Sequence, residues 1–501
     1  MNAGEILSVL AQPLVIGAIF LGVIVGAVCG LIPGVGGTFA IGISLPFSFL
    51  LPTEAAISLI IAISVGAAFV NSPAAIMLGL AGNSSAIITV AEGHSLTKRG
   101  KAGLAMAVAW LGATAGQLIS VPLLALLLVP LSYLGYVLLA PEMFALYFVG
   151  LVAIGGLMGK DAFRGVSAVT LGAVLSMIGP DPVSAVPRMT FGLPELSDGL
   201  PVLAVALGVI TLSASLRMTS DPSPRWPTTT TSGTDFPHLR DLRGVPIPIV
   251  LGALVGTLIG AIPGMGATTS SVIAHQLARA ISRRPEEFGR GSVDGLAASE
   301  AAQNGAQAGE LAPTLGLGIP GSDSAAILLA ALSVHGFVTG PMMISQSPEV
   351  VTAALAALLG GSVVLLLFGF PAGRLLLNVL RIDRRYLLGA SFFLALLGIF
   401  SYRGSTFDVL VALVFGVVGY GLTQIQVPVA AVVVGFLLGG PLEANLRRGL
   451  LLTDGDLGAF LGRPWVLGFF LFSVVLLVAV TASKRRTKRP RPTAAGSPPT
   501  G

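Results

Sequence analysis

The chain has 501 residues, of which 54% are hydrophobic and only 10% charged, and its net charge is +5. Soluble domains carry roughly 25% charged residues, so composition excludes a soluble globular protein, and recurring apolar runs of about 17–25 residues indicate a polytopic membrane protein. One cysteine, Cys29, excludes a disulfide framework or a cysteine-based metal site.

The N-terminal residues 1–7 lack the basic segment of a cleavable signal. Residues 13–32 are predicted to span, followed by a break at 33–37 and a shorter run, 38–51, interrupted by Pro46. The turn at 51–54 has no cation. The next apolar stretch, 55–92, is broken at Asn71-Ser72-Pro73 and at Gly82-Asn83-Ser84-Ser85, and a basic loop, 94–101, follows it. Spans are expected near 102–129, 142–158, 165–180 and 199–216, with a basic loop at 160–164 and a Pro-rich loop at 181–188. A Thr- and Pro-rich linker, 217–243, separates the first half, 1–216, from the second, 244–483. In that second half an apolar run ends in a break at 263–266, and another leads to a basic loop at 282–290. A small-residue stretch, 296–334, is interrupted at 318–324 and followed by a cation-free loop, 335–349. Spans near 350–371, 386–402, 404–422, 425–441 and 464–483 bring the total to about twelve to fifteen crossings. The tail, 484–501, holds six cations between Lys484 and Arg491. Directly after a span such a cluster marks the cytoplasmic side rather than a nucleic-acid site, and no nucleic-acid partner is expected.

One motif occurs twice. Gly30-Leu-Ile-Pro-Gly-Val-Gly-Gly-Thr38 returns as Gly260-Ala-Ile-Pro-Gly-Met-Gly-Ala-Thr268, with Pro33 and Pro263 separated by 230 positions. Proline lacks an N–H and glycine tolerates positive φ, so Pro-Gly-x-Gly stops a helix and frees backbone groups. Within a membrane, freed backbone survives only inside protein or beside a water-filled cavity. Paired breaks in two halves point to a transporter's substrate site; a pair of tight helix–helix turns would leave the same sequence. In the first half the loop after the hairpin-like run has no cation and the later one is basic; in the second half the order is reversed. Because positive loops stay in the cytoplasm, the expected fold is all-α and polytopic, with two inverted-topology repeats of Pro/Gly-broken helices. Arg447, Arg448 and Arg463 then fall outside, against that rule, in a loop that also holds Glu443, Asp454 and Asp456.

Polar groups inside a membrane are costly and tend to be functional. Candidate substrate-binding residues are Gly34, Gly36, Asn71, Ser72, Asn83, Ser84, Ser85, Gly264, Gly266, Asn304, Gly321 and Ser322. Gly-Asn-Ser-Ser and Gly-Ser-Asp-Ser each offer hydroxyls and backbone N–H groups suited to a carboxylate, although small polar residues also serve helix packing. Glu300, Glu310 and Asp323 are candidates for a coupling cation or proton; Glu300 at the aqueous end of its helix, or Asp323 as a helix cap, would be the structural alternatives. Gln307 is a further embedded polar group. His94, His238, His275 and His335 have no metal-ligand spacing, and no phosphate-binding loop of the Gly-x-x-x-x-Gly-Lys type occurs, so neither an enzyme nor a resident cofactor is expected.

Several stretches resemble the large permease subunit of the tripartite tricarboxylate transporters, the TctA type. They are 30–36, 92–103, 179–192, 262–266, 285–289, 300–304, 318–322, Phe407-Asp408 and 441–448, in order along residues 10–483. The resemblance implies a multi-pass permease in a bacterial inner membrane. A small membrane subunit and a periplasmic substrate-binding protein would be its partners, a carboxylate its substrate, and a Na+ or H+ gradient its driving force. This chain departs from the family pattern at Leu80–Ser84, Asn71, Ser299, Glu310 and Asp323. A carboxylate channel or facilitator, or an exporter, without ion coupling is the alternative function.

Overall fold

The computed structural model describes residues 3–30, 36–79, 84–158, 162–220, 237–337, 339–376 and 384–487. Almost every element is a helix. In chain order they are α1 (Ala3–Leu10), α2 (Pro13–Gly30), α3 (Gly36–Ser48), α4 (Thr53–Leu78), an irregular helical run α5 (84–98), α6 (Ala102–Val137), α7 (Ala140–Met158), α8 (Ala162–Leu175) and α9 (202–220). The second half supplies α10 (Pro246–Gly260), α11 (Gly266–Ile281), α12 (Val293–Leu317), α13 (Asp323–Val334), α14 (Pro348–Leu376), α15 (Arg384–Arg403), α16 (Thr406–Gln424), α17 (Val429–Leu452) and α18 (Pro464–Thr487). Among the described residues the only strands are a two-residue pair, β1 (Gly179–Pro180) and β2 (Pro187–Arg188). Among the described residues six helices are long and apolar enough to cross a bilayer: α2, α4, α6, α14, α16 and α17. The chain is an all-α polytopic membrane protein. Of the expected linker, 217–220 continue α9 and 221–236 lie outside the described residues.

Glycine sets two closely packed helix pairs. A Cβ on Gly22 or Gly26 would come within 2.6 or 2.0 Å of the carbonyl oxygens of Leu59 or Ile63, so α2 lies backbone to backbone on α4. The same spacing of four recurs where Gly252, Gly256 and Gly260 of α10 meet Ala298, Ala302 and Ala306 of α12. Without a hydrophobic drive between helices in lipid, such close approach is what holds them. In both pairs the contacts advance together, so each pair is parallel. The second Pro-Gly-x-Gly break joins α10 to α11, while residues 31–35 of the first lie outside the described residues between α2 and α3.

The long helices themselves run in opposite senses. Gln307 Nε2 donates to the Ser64 carbonyl at 3.0 Å, and Ser72 Oγ donates to Glu300 Oε2 at 2.6 Å, so α4 descends as α12 ascends. Each carries an internal proline, Pro73 or Pro313, and each ends on a left-handed glycine, Gly79 (φ 66°) or Gly318 (φ 70°). Only glycine adopts that conformation without penalty, and it closes the last turn.

Side-chain contacts sort the connecting segments into two groups. In one, Gln12 donates to Glu54, Ser48 and Phe49 meet the His335 ring, Tyr402 donates to the Val334 carbonyl, and Arg403 lies 3.9 Å from Asp198. This group includes the 179–192 hairpin. There Arg188 pairs with Glu443, while Arg447 bonds Asp181 at 2.7 Å and Glu443 at 2.9 Å. Arg463 pairs with Glu142. Two of the three arginines that defied the charge rule are thus neutralised by local carboxylates. The backbone N–H groups of Ser184 and Val183 hold the Asp181 carboxyl down at about 2, so this cluster keeps its charges throughout the physiological pH range.

The second group joins 92–101 to 282–292. Glu92, fully buried, accepts from the backbone N–H of Gly289 (2.6 Å), Gly291 (2.8 Å) and Ser292 (2.7 Å) and pairs with His275 Nε2 (2.7 Å). Glu92→Gln places an NH2 among these donors. It is expected to cost about 3 kcal/mol, the scale for breaking a buried ionic network, and to lower the melting temperature of the purified chain. An unchanged melting temperature would show that the cage carries no stability.

Candidate transport site between the broken helices

The two hairpin tips and the two helix breaks meet at one cavity of about 560 Å³. Each hairpin tip is tied to the break of the opposite half. Thr38 Oγ1 lies 3.2 Å from Ser324 Oγ, and Thr268 Oγ1 lies 2.8 Å from Ser84 Oγ. Thr38 and Thr268 occupy the same place in the duplicated motif, five residues after Pro33 and Pro263. A third tie lies within the second half, where the Gly264 N–H donates to the Gly321 carbonyl at 3.2 Å.

The sequence candidates divide three ways. Asn71, Ser84, Ser85, Gly264, Gly266, Gly321, Ser322, Glu310 and Asp323 line the cavity. Ser72, Asn304 and Glu300 lie behind it. There Glu300, 0% exposed, accepts from both Ser72 and Thr89, and Asn304 Nδ2 donates back to the Glu300 carbonyl at 3.0 Å. Gly34 and Asn83 lie outside the described residues, and Gly36 opens α3 beside the lining residues Gly37 and Thr38. Glu300 is not at an aqueous helix end. Nor is Asp323 the cap of α13: Ser322 is the residue before the helix, and its hydroxyl accepts from the Ala325 N–H at 3.2 Å. Asp323 is therefore free of the capping role and stands at the first helical position, on the cavity wall.

Three helices, α3, α11 and α13, begin at the cavity, so their N–H-bearing ends face it. Among the described residues no Lys, Arg or His lines it, and the lining carboxylates are Glu310 and Asp323. Helix ends and hydroxyls supply what positive field there is. Glu310 sits against the second-half break: its side chain lies 3.1 Å from where a Cβ on Gly321 would stand.

Gln303 also lines the cavity, a residue that the sequence reading does not single out, and so do Thr38 and Thr268. A signal was present: Gln303, Gln307 and Glu310 follow the i, i+4, i+7 spacing of one helix face, while Glu300 and Asn304 lie on the adjoining face.

A family model described as "Tripartite tricarboxylate transporter TctA family" matches residues 16–434, which include both breaks and the whole cavity wall. The chain belongs to the TctA family. It is 29% identical over 470 residues to an Agrobacterium vitis protein described as an uncharacterized 52.8 kDa protein in the TAR-I ttuC' 3' region, covering 94% of each chain. A second Agrobacterium vitis protein, from the TAR-II ttuC' 3' region, is 30% identical over 234 residues, covering 47% of this chain and 97% of its own length. No solved structure matches. Membership in the TctA family makes the chain a membrane permease component of a tripartite transporter and speaks for transport rather than catalysis.

Proposed function

We propose that the chain is the permease of a binding-protein-dependent secondary transporter that takes up a carboxylate across a bacterial inner membrane on an ion gradient. The carrying observation is the pair of cross-ties, Thr38 to Ser324 and Thr268 to Ser84, around a cavity built from breaks in both halves. Parallel α2–α4, parallel α10–α12 and antiparallel α4–α12 support reading the halves as inverted repeats that rock about that cavity. The basic segments 94–101 and 282–290 would be cytoplasmic. A small membrane subunit and a periplasmic substrate-binding protein would complete the system.

Charge supports coupling. An anion entering beside Glu310 and Asp323, with no basic side chain on the described wall, needs cations to accompany it. Na+ or H+ at these two carboxylates would serve, and Glu300, sealed among Ser72 and Thr89, would hold a second cation or proton. Asn71, Ser84, Ser85, Gly264, Gly266, Gly321 and Ser322, with Gly34, Gly36 and Asn83, would line the substrate's path. Ser72 and Asn304 would support it from behind. Reconstitution with the partner subunits tests the reading: a labelled carboxylate should accumulate against its gradient and lose that accumulation when ionophores collapse the ion gradients. Equilibration alone, indifferent to ionophores, would mark a facilitator.

Topology supplies a separate test. In a Cys29→Ser background, Thr53→Cys and Thr339→Cys are expected to react with an impermeant thiol reagent from outside, Thr97→Cys and Ser282→Cys only from inside. Labelling of Thr53→Cys and Thr97→Cys from one side would end the inverted-repeat reading.

A further inference from the structure

Gln303 and Gln307 present an unmet hydrogen-bonding demand. Gln303 is 2% exposed and lines the cavity, yet neither its Oε1 nor its Nε2 has a partner among the described residues. Gln307, one helical turn further on, commits its amide nitrogen to the Ser64 carbonyl at 3.0 Å. That bond fixes which end of the amide is which, because a carbonyl oxygen can only accept. The remaining atom, Gln307 Oε1, is buried and without a partner among the described residues. Buried polar atoms are satisfied in native structures, and one left unmet costs about 1–3 kcal/mol. Two neighbouring side chains in that state on a cavity wall are waiting for a ligand.

The chemistry of that ligand follows from the free atoms. Gln307 Oε1 accepts only. A carboxylate has no hydrogen to give it. Gln303 Nε2 donates, as do one hydroxyl of each tied pair, Thr38 with Ser324 and Ser84 with Thr268, and the N–H groups at the starts of α3, α11 and α13. The wall thus asks for two kinds of group on one molecule: acceptors for the donors, and an O–H donor for Gln307. We propose that Gln303 and Gln307 form a specificity subsite for a hydroxyl-bearing carboxylate, Gln307 Oε1 receiving the substrate hydroxyl and Gln303 bridging that hydroxyl to the adjoining carboxylate. This deepens, and rests on, the carboxylate-transport reading. A site whose polar groups are left unpaired by an analogue rejects it strongly, whereas an apolar pocket does not.

The test uses matched acids differing by one hydroxyl: malate against succinate, citrate against tricarballylate, and 2-hydroxyglutarate against glutarate. Binding to the purified full-length chain is read by calorimetry, and competition for uptake is read in the reconstituted three-component system. The expected result is a preference of at least about tenfold for the hydroxylated member of the pair that binds. In Gln307→Leu that preference falls below about threefold, mainly because the hydroxylated member binds more weakly. Equal binding of both members by the wild type overturns the subsite while leaving carboxylate transport standing. So does an unchanged preference in a well-folded Gln307→Leu. Binding of none of the six acids, in either assay, overturns the carboxylate reading itself and the subsite with it.

Discussion

Gly264→Leu is expected to reduce uptake to background while the protein still inserts and purifies as a single species. Gly264 holds φ at 81°, and its N–H reaches across to Gly321. A residue with a Cβ is strained by about 1–2 kcal/mol in that conformation, and a leucine side chain would in addition intrude on the cavity that this residue lines. Gly264→Ala should fall between wild type and leucine, because it brings the strain without the bulk. Gly34→Leu, at the matching place in the first-half motif, is expected to behave as Gly264→Leu does. Uptake assays paired with gel filtration decide the matter; wild-type uptake by a monodisperse Gly264→Leu would reduce the break to a turn.

Asp323→Asn is expected to abolish accumulation while sparing exchange. Its carboxylate is on the cavity wall with Glu310, and the cap of α13 is already supplied by Ser322. Removing the charge therefore leaves the helix start intact and takes away a cation's partner. If protons are the coupling ion, the asparagine variant should still exchange labelled for unlabelled substrate across a vesicle membrane. It should no longer concentrate substrate when a pH gradient is imposed, a drop of at least tenfold in the steady-state ratio. If Na+ is the ion, the dependence of uptake on Na+ concentration should weaken more than substrate affinity does. Unchanged accumulation and unchanged ion dependence would remove Asp323 from the coupling machinery.

Much of this arrangement was legible in the sequence, for identifiable physical reasons. The breaks that end α2 and α10 could be read because proline beside glycine stops a helix, whereas the break expected at Asn71-Ser72-Pro73 is not one: α4 runs through Pro73 to Leu78, buried along that turn. The expectation of opposed halves comes from loop cations, which obey a rule about membrane sides rather than about packing, and thiol labelling tests it. The motif stretches that carried the family resemblance turn out to meet in space: 92–103 with 285–289 at Glu92, and 179–192 with 441–448 at Arg188 and Arg447. What could not be read was which face of α12 looks into the cavity. Glu300 and Asn304 and the set Gln303, Gln307, Glu310 are equally polar stripes on one helix, and only the packing of α4 and α10 against it separates wall from backing. Nor could the pairing of Arg447 with Asp181 and of Arg463 with Glu142 be read, because these partners lie far away in sequence.

The cross-ties at the cavity also bear on how the molecule is made. Thr38 must wait for Ser324, and Ser84 for Thr268, gaps of 286 and 184 residues. The end of α2 at Gly30 packs on Ala67 and Val70 of α4 within the first half, but the tie at Thr38 has its partner in the second. A ribosome that has delivered the first half has delivered a hairpin seated on α4 whose tip is still untied. Long-range closure of this kind comes late and leaves earlier segments dependent on protection meanwhile. The cavity is consequently complete only once the chain has passed Leu358 of α14. A chain truncated before Ser322 has only part of the site to offer.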